Sequence, residues 1–167
     1  MRVGIIADTH ISSKSVKEFK NFLNKTLLDV ELIIHAGDVT SEETLKVLKD
    51  FKPIIVVKGN NDKEKLEREL EDKKIVVLDS YRIGVVHGHQ GEKETLENAM
   101  MAFQGDELDV MIFGHSHKPF ITTKGKTLII NPGSFTRRRK ERWFSYVILD
   151  LNKDGIEVHM KTYTKWK

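Results

Sequence analysis

Val110-Met111-Ile112-Phe113-Gly114-His115-Ser116-His117 is an apolar run closed by a glycine and two imidazoles two residues apart. A short, unbroken apolar run predicts a strand buried on both faces. Imidazole is the commonest protein ligand for transition metals. The closing segment of such a strand can aim both rings into one crevice. Open α/β sheets bind ligands there, outside the carboxyl ends of their strands. A site at this point needs other strands that end in ligands of the same kind.

Four others do. Val3-Gly4-Ile5-Ile6-Ala7 runs into Asp8-Thr9-His10, and Leu32-Ile33-Ile34-His35-Ala36 into Gly37-Asp38. Ile54-Ile55-Val56-Val57 precedes Gly59-Asn60-Asn61-Asp62, and Tyr81 to Val86 precedes His87-Gly88-His89. Between them lie helical patterns. Val16, Phe19, Phe22, Leu23 and Leu27 form one stripe from Val16 to Leu28, with Ser12, Ser13 and Ser15 as candidate N-caps. Thr40 or Ser41 can cap a second helix to about Asp50. A charged helix follows from about Lys63 to Leu70, and another from about Lys93 to Phe103. Ile75 to Leu78 and Tyr81 to Val86 flank Asp79-Ser80 as a hairpin.

From Ile121 onward only strand signals remain, which predicts an antiparallel C-terminal third after a parallel βαβα half. With no linker between them, the fold class is α/β: two mixed sheets packed as a sandwich flanked by helices, in one domain over 1–167.

Composition narrows the chemistry. There is no cysteine, so disulfides and thiolate metal sites are excluded. The first strand begins at Arg2, which leaves no room for a signal peptide, and no apolar run reaches the ~20 residues of a membrane span. These point to a cytoplasmic protein with no membrane partner. A net charge of +3 predicts no nucleic-acid partner by itself.

The five strand ends supply Asp8, His10, Asp38, Asn60, His87, His115 and His117. Seven ligands are too many for one ion that must keep an open position. They suit two ions bridged by one carboxylate, the arrangement by which phosphatases and nucleases clamp attacking and departing oxygens. Mixed carboxylate and imidazole donors favour Mn, Ni, Co, Fe or Zn over Ca or Mg. Gly37, Gly59, Gly88 and Gly114 stand beside the ligands, where glycine allows sharp turns.

Asp8-x-His10, Gly37-Asp38, Gly59-Asn60-Asn61-Asp62, His87-Gly88 and Gly114-His115-Ser116-His117 resemble the ordered motif set of the calcineurin-like metallophosphoesterases. The small single-domain phosphodiesterases of that superfamily are the most similar, and Asn131-Pro132-Gly133-Ser134 resembles a loop they carry. The resemblance implies that Asp8, His10 and His117 hold one metal, that Asn60, His87 and His115 hold the other, and that Asp38 bridges. It also implies a hydroxide between the ions that attacks phosphorus in line with the leaving group. The implied substrate is a small phosphodiester or nucleotide-like molecule.

One position departs from the family pattern. The usual histidine after the metal-binding asparagine is Asn61 here. An amide donates a hydrogen bond but cannot act as a general acid, a role worth on the order of 10²–10⁴-fold in rate. His89, two residues past His87, is a candidate substitute. Asp62 completes the motif as a third candidate catalytic residue, or else caps the Lys63 helix.

Simpler readings stand beside these. A lone histidine after a strand is usually structural, which suits His35 and His159. Arg137-Arg138-Arg139-Lys140 with Arg142 is either a solvated loop or a phosphate-attracting rim that favours nucleotides. Phe135 and Trp143 belong to the core or an interface, or stack on a base. The rival from another class is a non-catalytic interaction scaffold like the retromer subunit of the same fold, which His87-Gly88-His89-Gln90 resembles. Nuclease action on nucleic acid and homo-oligomer formation remain open alternatives at this level.

Overall fold

The computed structural model describes residues 1–167, apart from the side chain of Glu64. β1 (Arg2–Ile6) is followed by α1 (Val16–Thr26), β2 (Leu32–His35), α2 (Glu42–Phe51), β3 (Ile54–Val56) and α3 (Glu64–Glu69). β4 (Lys73–Leu78) and β5 (Tyr81–Val86) come next, then α4 (Thr95–Ala102) and β6 (Val110–Ile112). β7 (Pro119–Lys124), β8 (Thr127–Pro132), β9 (Phe144–Asn152) and β10 (Gly155–Tyr163) complete the chain.

The strands form two five-stranded sheets, ordered β10-β9-β1-β2-β3 and β4-β5-β6-β8-β7. β1 and β6 lie at the two centres, which explains their unbroken apolar runs. Along β1 and the residue after it, Val3, Ile5 and Ala7 face the other sheet. Ile6 faces Phe19 and Leu23 of α1 and Leu45 and Leu48 of α2. In β6 the same alternation sends Val110 and Ile112 between the sheets. Met111 and Phe113 meet Ala99 of α4 and Phe103. A helical layer on one side and a sheet on the other leave no solvent face, so period-two polarity has no place in these strands.

β1, β2 and β3 pair in parallel, as the βαβα pattern predicts. The C-terminal third differs from expectation. β8 pairs antiparallel with β7 but parallel with β6. β9 then leaves that sheet and pairs antiparallel with β1 in the other one. Parallel insertion of β8 gives β6 a hydrogen-bonded neighbour on each side, and the move of β9 does the same for β1. Neither exchange leaves a signal in local periodicity.

Helix ends show where side-chain chemistry wins. The Ser41 hydroxyl accepts from the Thr44 amide at 3.2 Å, as an N-cap should. Ser13–Ser15 form a 3₁₀ turn before α1, and Ser15 makes no capping bond. α4 starts later than its pattern predicts because Asn98 bonds both the amide and the carbonyl of Lys93, at 3.3 and 2.8 Å. Asp62 does not cap α3: Lys63 holds that position, and Asp62 turns inward. Phe135 is fully buried and Trp143 is 40% exposed, which separates the two aromatics paired in the sequence. Among the described residues no helix is long and apolar enough to cross a membrane.

Candidate metal centre

All five ligand-bearing segments meet at one edge of the sandwich. The chain turns there through a left-handed backbone at Asp8 (φ 52°), His10 (45°), Asp38 (61°), His115 (66°) and His117 (60°). Non-glycine residues adopt this region at a cost of roughly 1–2 kcal/mol each. Long-range bonds hold them in it. The Asp8 amide donates to the Gly37 carbonyl at 3.1 Å and the His10 amide to the Asp38 carbonyl at 3.3 Å. The His115 amide donates to Asp8 Oδ2 at 3.1 Å, and the Ser134 hydroxyl to the Asp8 carbonyl at 2.8 Å.

Two groups of ligand atoms result. In the first, His117 Nε2 lies 3.2 Å and His10 Nε2 3.9 Å from Asp8 Oδ1. The two rings stack with centroids 5.3 Å apart. Asp8 Oδ1, His10 Nε2 and His117 Nε2 are all buried without a hydrogen-bond partner. In the second group, Asn60 Oδ1 sits 3.2 Å from His87 Nε2 and 3.0 Å from His115 Nδ1. Asp38 reaches both: its Oδ2 is 3.3 Å from His10 Nε2 and its Oδ1 is 3.5 Å from His87 Nε2.

The tautomers follow from the opposite ring edges. His87 Nδ1 donates to the Ala36 carbonyl at 2.7 Å, and His117 Nδ1 donates to the Arg137 carbonyl. Each ring is thereby turned so that its Nε2 faces carboxylate or amide oxygens. Buried oxygen and imidazole atoms that converge in this way, three of them without a hydrogen-bond partner, suit a cation, and a backbone bond at the far nitrogen is how a metal-bound imidazole is oriented. Asp8, His10 and His117, and separately Asp8, Asp38 and His87, converge closely enough for each trio to hold one ion. The donor set of imidazole, carboxylate and amide oxygen fits divalent transition metals.

Electrostatics suit ligation. Burial pushes the His10 imidazole down to about 4, although Asp38 and Asp8 pull it upward, so the ring is neutral at pH 7. Burial also opposes ionisation of Asp38, yet hydrogen bonds from His87 and Asn61 hold its carboxyl below the usual range. The turns allow no larger residues. A Cβ on Gly59 would lie 2.2 Å from the Asp38 amide nitrogen, and one on Gly37 2.5 Å from His87 Nδ1.

The three candidate catalytic residues separate. Asn61 lies at the site, its Nδ2 2.7 Å from Asp38 Oδ2 and its amide 2.8 Å from Asp38 Oδ1. His89 packs beside His87 and His115, with ring centroids 5.3 and 6.2 Å away. Burial, then the positive field of His87 and His115, pushes it down to about 4. Asp62 stands behind the site. Its two oxygens accept from the Gly59 and Thr40 amides, each at 2.6 Å, which fixes the turn that carries Asn60.

Two residues noted in the sequence, one as structural and one within a family-like loop, prove to position the site. His35 is fully buried and lies 3.1 Å from the Thr9 hydroxyl, which donates to the Asp38 carbonyl at 3.3 Å. Asn131 Nδ2 donates to the Gly114 carbonyl at 2.8 Å, and its Oδ1 accepts from Gly133 at 2.9 Å. The structural role expected of His35 fits its contact with Thr9, and the loop that begins at Asn131 lies against the His115-His117 turn. His159 lies on the exposed face near Asp150 and Glu157, away from the site.

Comparison with known proteins agrees with this geometry. Residues 1–154 match the calcineurin-like phosphoesterase superfamily domain. A probable metallophosphoesterase of Methanothermobacter thermautotrophicus is 36% identical over 141 residues, covering 81% of this chain and 78% of that protein. A phosphodiesterase of Methanocaldococcus jannaschii is 32% identical over 148 residues, covering 80% and 83%. The crystal structure of Chaetomium thermophilum Vps29 superposes with a TM-score of 0.75 at 21% identity, covering 99% of each chain, a likeness of fold alone. The sequence match, the two mixed sheets and the strand-end ligands place this chain in the calcineurin-like phosphoesterase superfamily.

Proposed function

We propose that the chain is a phosphodiesterase that holds two divalent transition-metal ions. Asp8, His10 and His117 bind one; Asn60, His87 and His115 bind the other; Asp38 is shared. The observation that carries this is Asp38, whose two oxygens face a different imidazole Nε2 each, at 3.3 and 3.5 Å. Bound there, a pair of cations would supply Lewis acidity and a water of lowered pKa for in-line attack on phosphorus.

The chain's own residues define the rest. His87 and His117 are held in the ligating tautomer by their backbone acceptors. Asn61 is positioned to donate to a phosphoryl oxygen, but its amide has no proton to give a departing alkoxide. His89 is neutral at pH 7 and is a weak source of that proton. The preferred substrates are therefore small or nucleotide-like diesters with acidic leaving groups, such as aryl phosphodiesters.

The test uses chelator-stripped protein, bis(p-nitrophenyl) phosphate and Mn, Ni, Co, Zn, Fe and Mg in turn. At least one of the transition metals is expected to restore hydrolysis, with Mg weaker. Failure of every metal on every phosphoester tried would leave the interaction-scaffold reading instead.

A further inference from the structure

The loop from Gly133 to Trp143 connects β8 of one sheet to β9 of the other, so it crosses the ligand end of the sandwich. Its first part is tied to the Asp8 segment. The Phe135 amide donates to the Ala7 carbonyl at 3.1 Å, and Ser134 Oγ to the Asp8 carbonyl at 2.8 Å. The Thr136 hydroxyl donates to the Thr9 carbonyl, and the Arg137 carbonyl accepts from His117. Phe135 is buried among Phe19, Phe22, Tyr146 and Tyr163, which pins the loop's root in the core.

Beyond that root the chain becomes cationic. Residues 137–142 carry four arginines and one lysine against Glu141, a net of +4, while the whole chain carries only +3. The rest of the molecule is thus slightly negative, and its positive field is concentrated at this loop. The five cations are exposed, but they are not equivalent. Arg138 lies over the Phe144 ring at 5.3 Å and bonds the Arg142 carbonyl. Arg142 lies over Trp143 at 4.9 Å. Among the described residues the arginine ion pairs are those of Arg2, so Arg137 and Arg139 have no carboxylate partner. The positive field of Arg137 reaches His10, and that of Arg139 reaches His115, one imidazole from each ligand group. Arg139 itself sits in the left-handed region, at φ 51°.

We propose that Arg137 and Arg139 form an anion subsite beside the ligand groups, which selects phosphodiesters bearing a second phosphate, as in linked nucleotides. The choice of substrate rests on the phosphodiesterase reading above. The scissile phosphate would be neutralised within the ligand groups, and two unpaired guanidiniums outside them are placed for a further phosphate. A planar guanidinium matches phosphate oxygens in a two-pronged fashion.

The experiment titrates thymidine 3′,5′-bisphosphate and thymidine 5′-monophosphate calorimetrically into metal-loaded full-length protein. The bisphosphate is expected to bind about tenfold tighter, the scale of two exposed charge-assisted contacts. The double variant Arg137→Gln/Arg139→Gln should bind both ligands equally, and Arg142→Gln should keep the preference. Equal binding by the wild type, or a preference that survives in a folded double variant, would overturn the subsite. If the double variant does not fold, salt decides with the wild type: 0.5 M salt should erase most of the preference, and a preference indifferent to salt would overturn it. Selective bisphosphate binding by a protein that hydrolyses no phosphodiester would support the subsite and remove only the hydrolytic reading.

Discussion

The two ends of the sandwich use the same unusual backbone for different purposes. At one end Asp79 (φ 45°) and Ser80 (73°) turn the β4–β5 hairpin through the left-handed region. The turn is local, and its polar groups meet water or close a simple pair, as Asp79 does with the chain terminus at 2.8 Å. At the other end Asp8, His10, Asp38, His115 and His117 adopt the same region, but each is held from afar. The bond from Ser134 to the Asp8 carbonyl spans 126 residues. A hairpin turn stores no chemistry. The ligand end uses its cross-links to bring buried carboxylates and imidazoles together, three of their atoms without a hydrogen-bond partner.

Substitutions at the two ends should differ accordingly. The largest expected contrast is in activity. Asp38→Asn weakens the proposed shared ligand and should lower phosphodiester hydrolysis on the order of 10³-fold, the scale of removing one preorganised stabilising group. Asp79→Asn, on the exposed hairpin, should leave hydrolysis within about twofold. Steady-state rates on bis(p-nitrophenyl) phosphate check both. Next is Asn61→His, which restores a proton donor beside Asp38. It should raise activity on alkyl monoesters relative to aryl diesters on the order of 10²-fold, and an unchanged ratio would remove Asn61 as the cause of diester preference.

Stability should separate the ends more modestly. Gly59→Ala forces a Cβ within 2.2 Å of Asp38, whereas a Cβ on Gly125, in the β7–β8 turn, meets nothing within 4 Å. Gly59→Ala should cost at least about 3 kcal/mol, beyond the usual range for overpacking. Gly125→Ala pays only for its left-handed φ of 59°, roughly 1–2 kcal/mol. Urea midpoints measure the difference. The last contrast is one of pH and concerns His35, whose imidazole burial pushes down from 6.5 to about 3. The unfolded chain binds a proton there between those two values and the folded chain does not. Stability therefore rises with pH across that window and is lost on acidification. His35→Gln should flatten that slope in urea titrations of metal-free protein.

Much of the ligand end was legible in the sequence because each ligand directly follows an apolar run. β1 and β6, central and covered on both faces, show such a boundary most plainly. The candidates Asp8, His10, Asp38, Asn60, His87, His115 and His117 all stand out in this way, and the structure brings all seven together. What the sequence concealed depends on contacts between distant segments. Nothing near Thr127 announces parallel pairing with β6, and nothing near Phe144 announces a change of sheet. Asp62 reads locally as a helix cap, but the amides of Thr40 and Gly59 compete successfully for its oxygens. His35 and Asn131 act through long-range hydrogen bonds, to Thr9 and to Gly114 and Ser116, that have no spacing rule.

The central claim is that two distinct ligand groups share Asp38, and metal stoichiometry tests it most directly. Elemental analysis of saturated protein should give two ions per chain for the wild type and one for each of His115→Ala and His117→Ala. Spectra of cobalt-substituted samples should show that the two variants lose different ions. A wild type that saturates at one ion, or two variants that lose the same ion, would contradict the account.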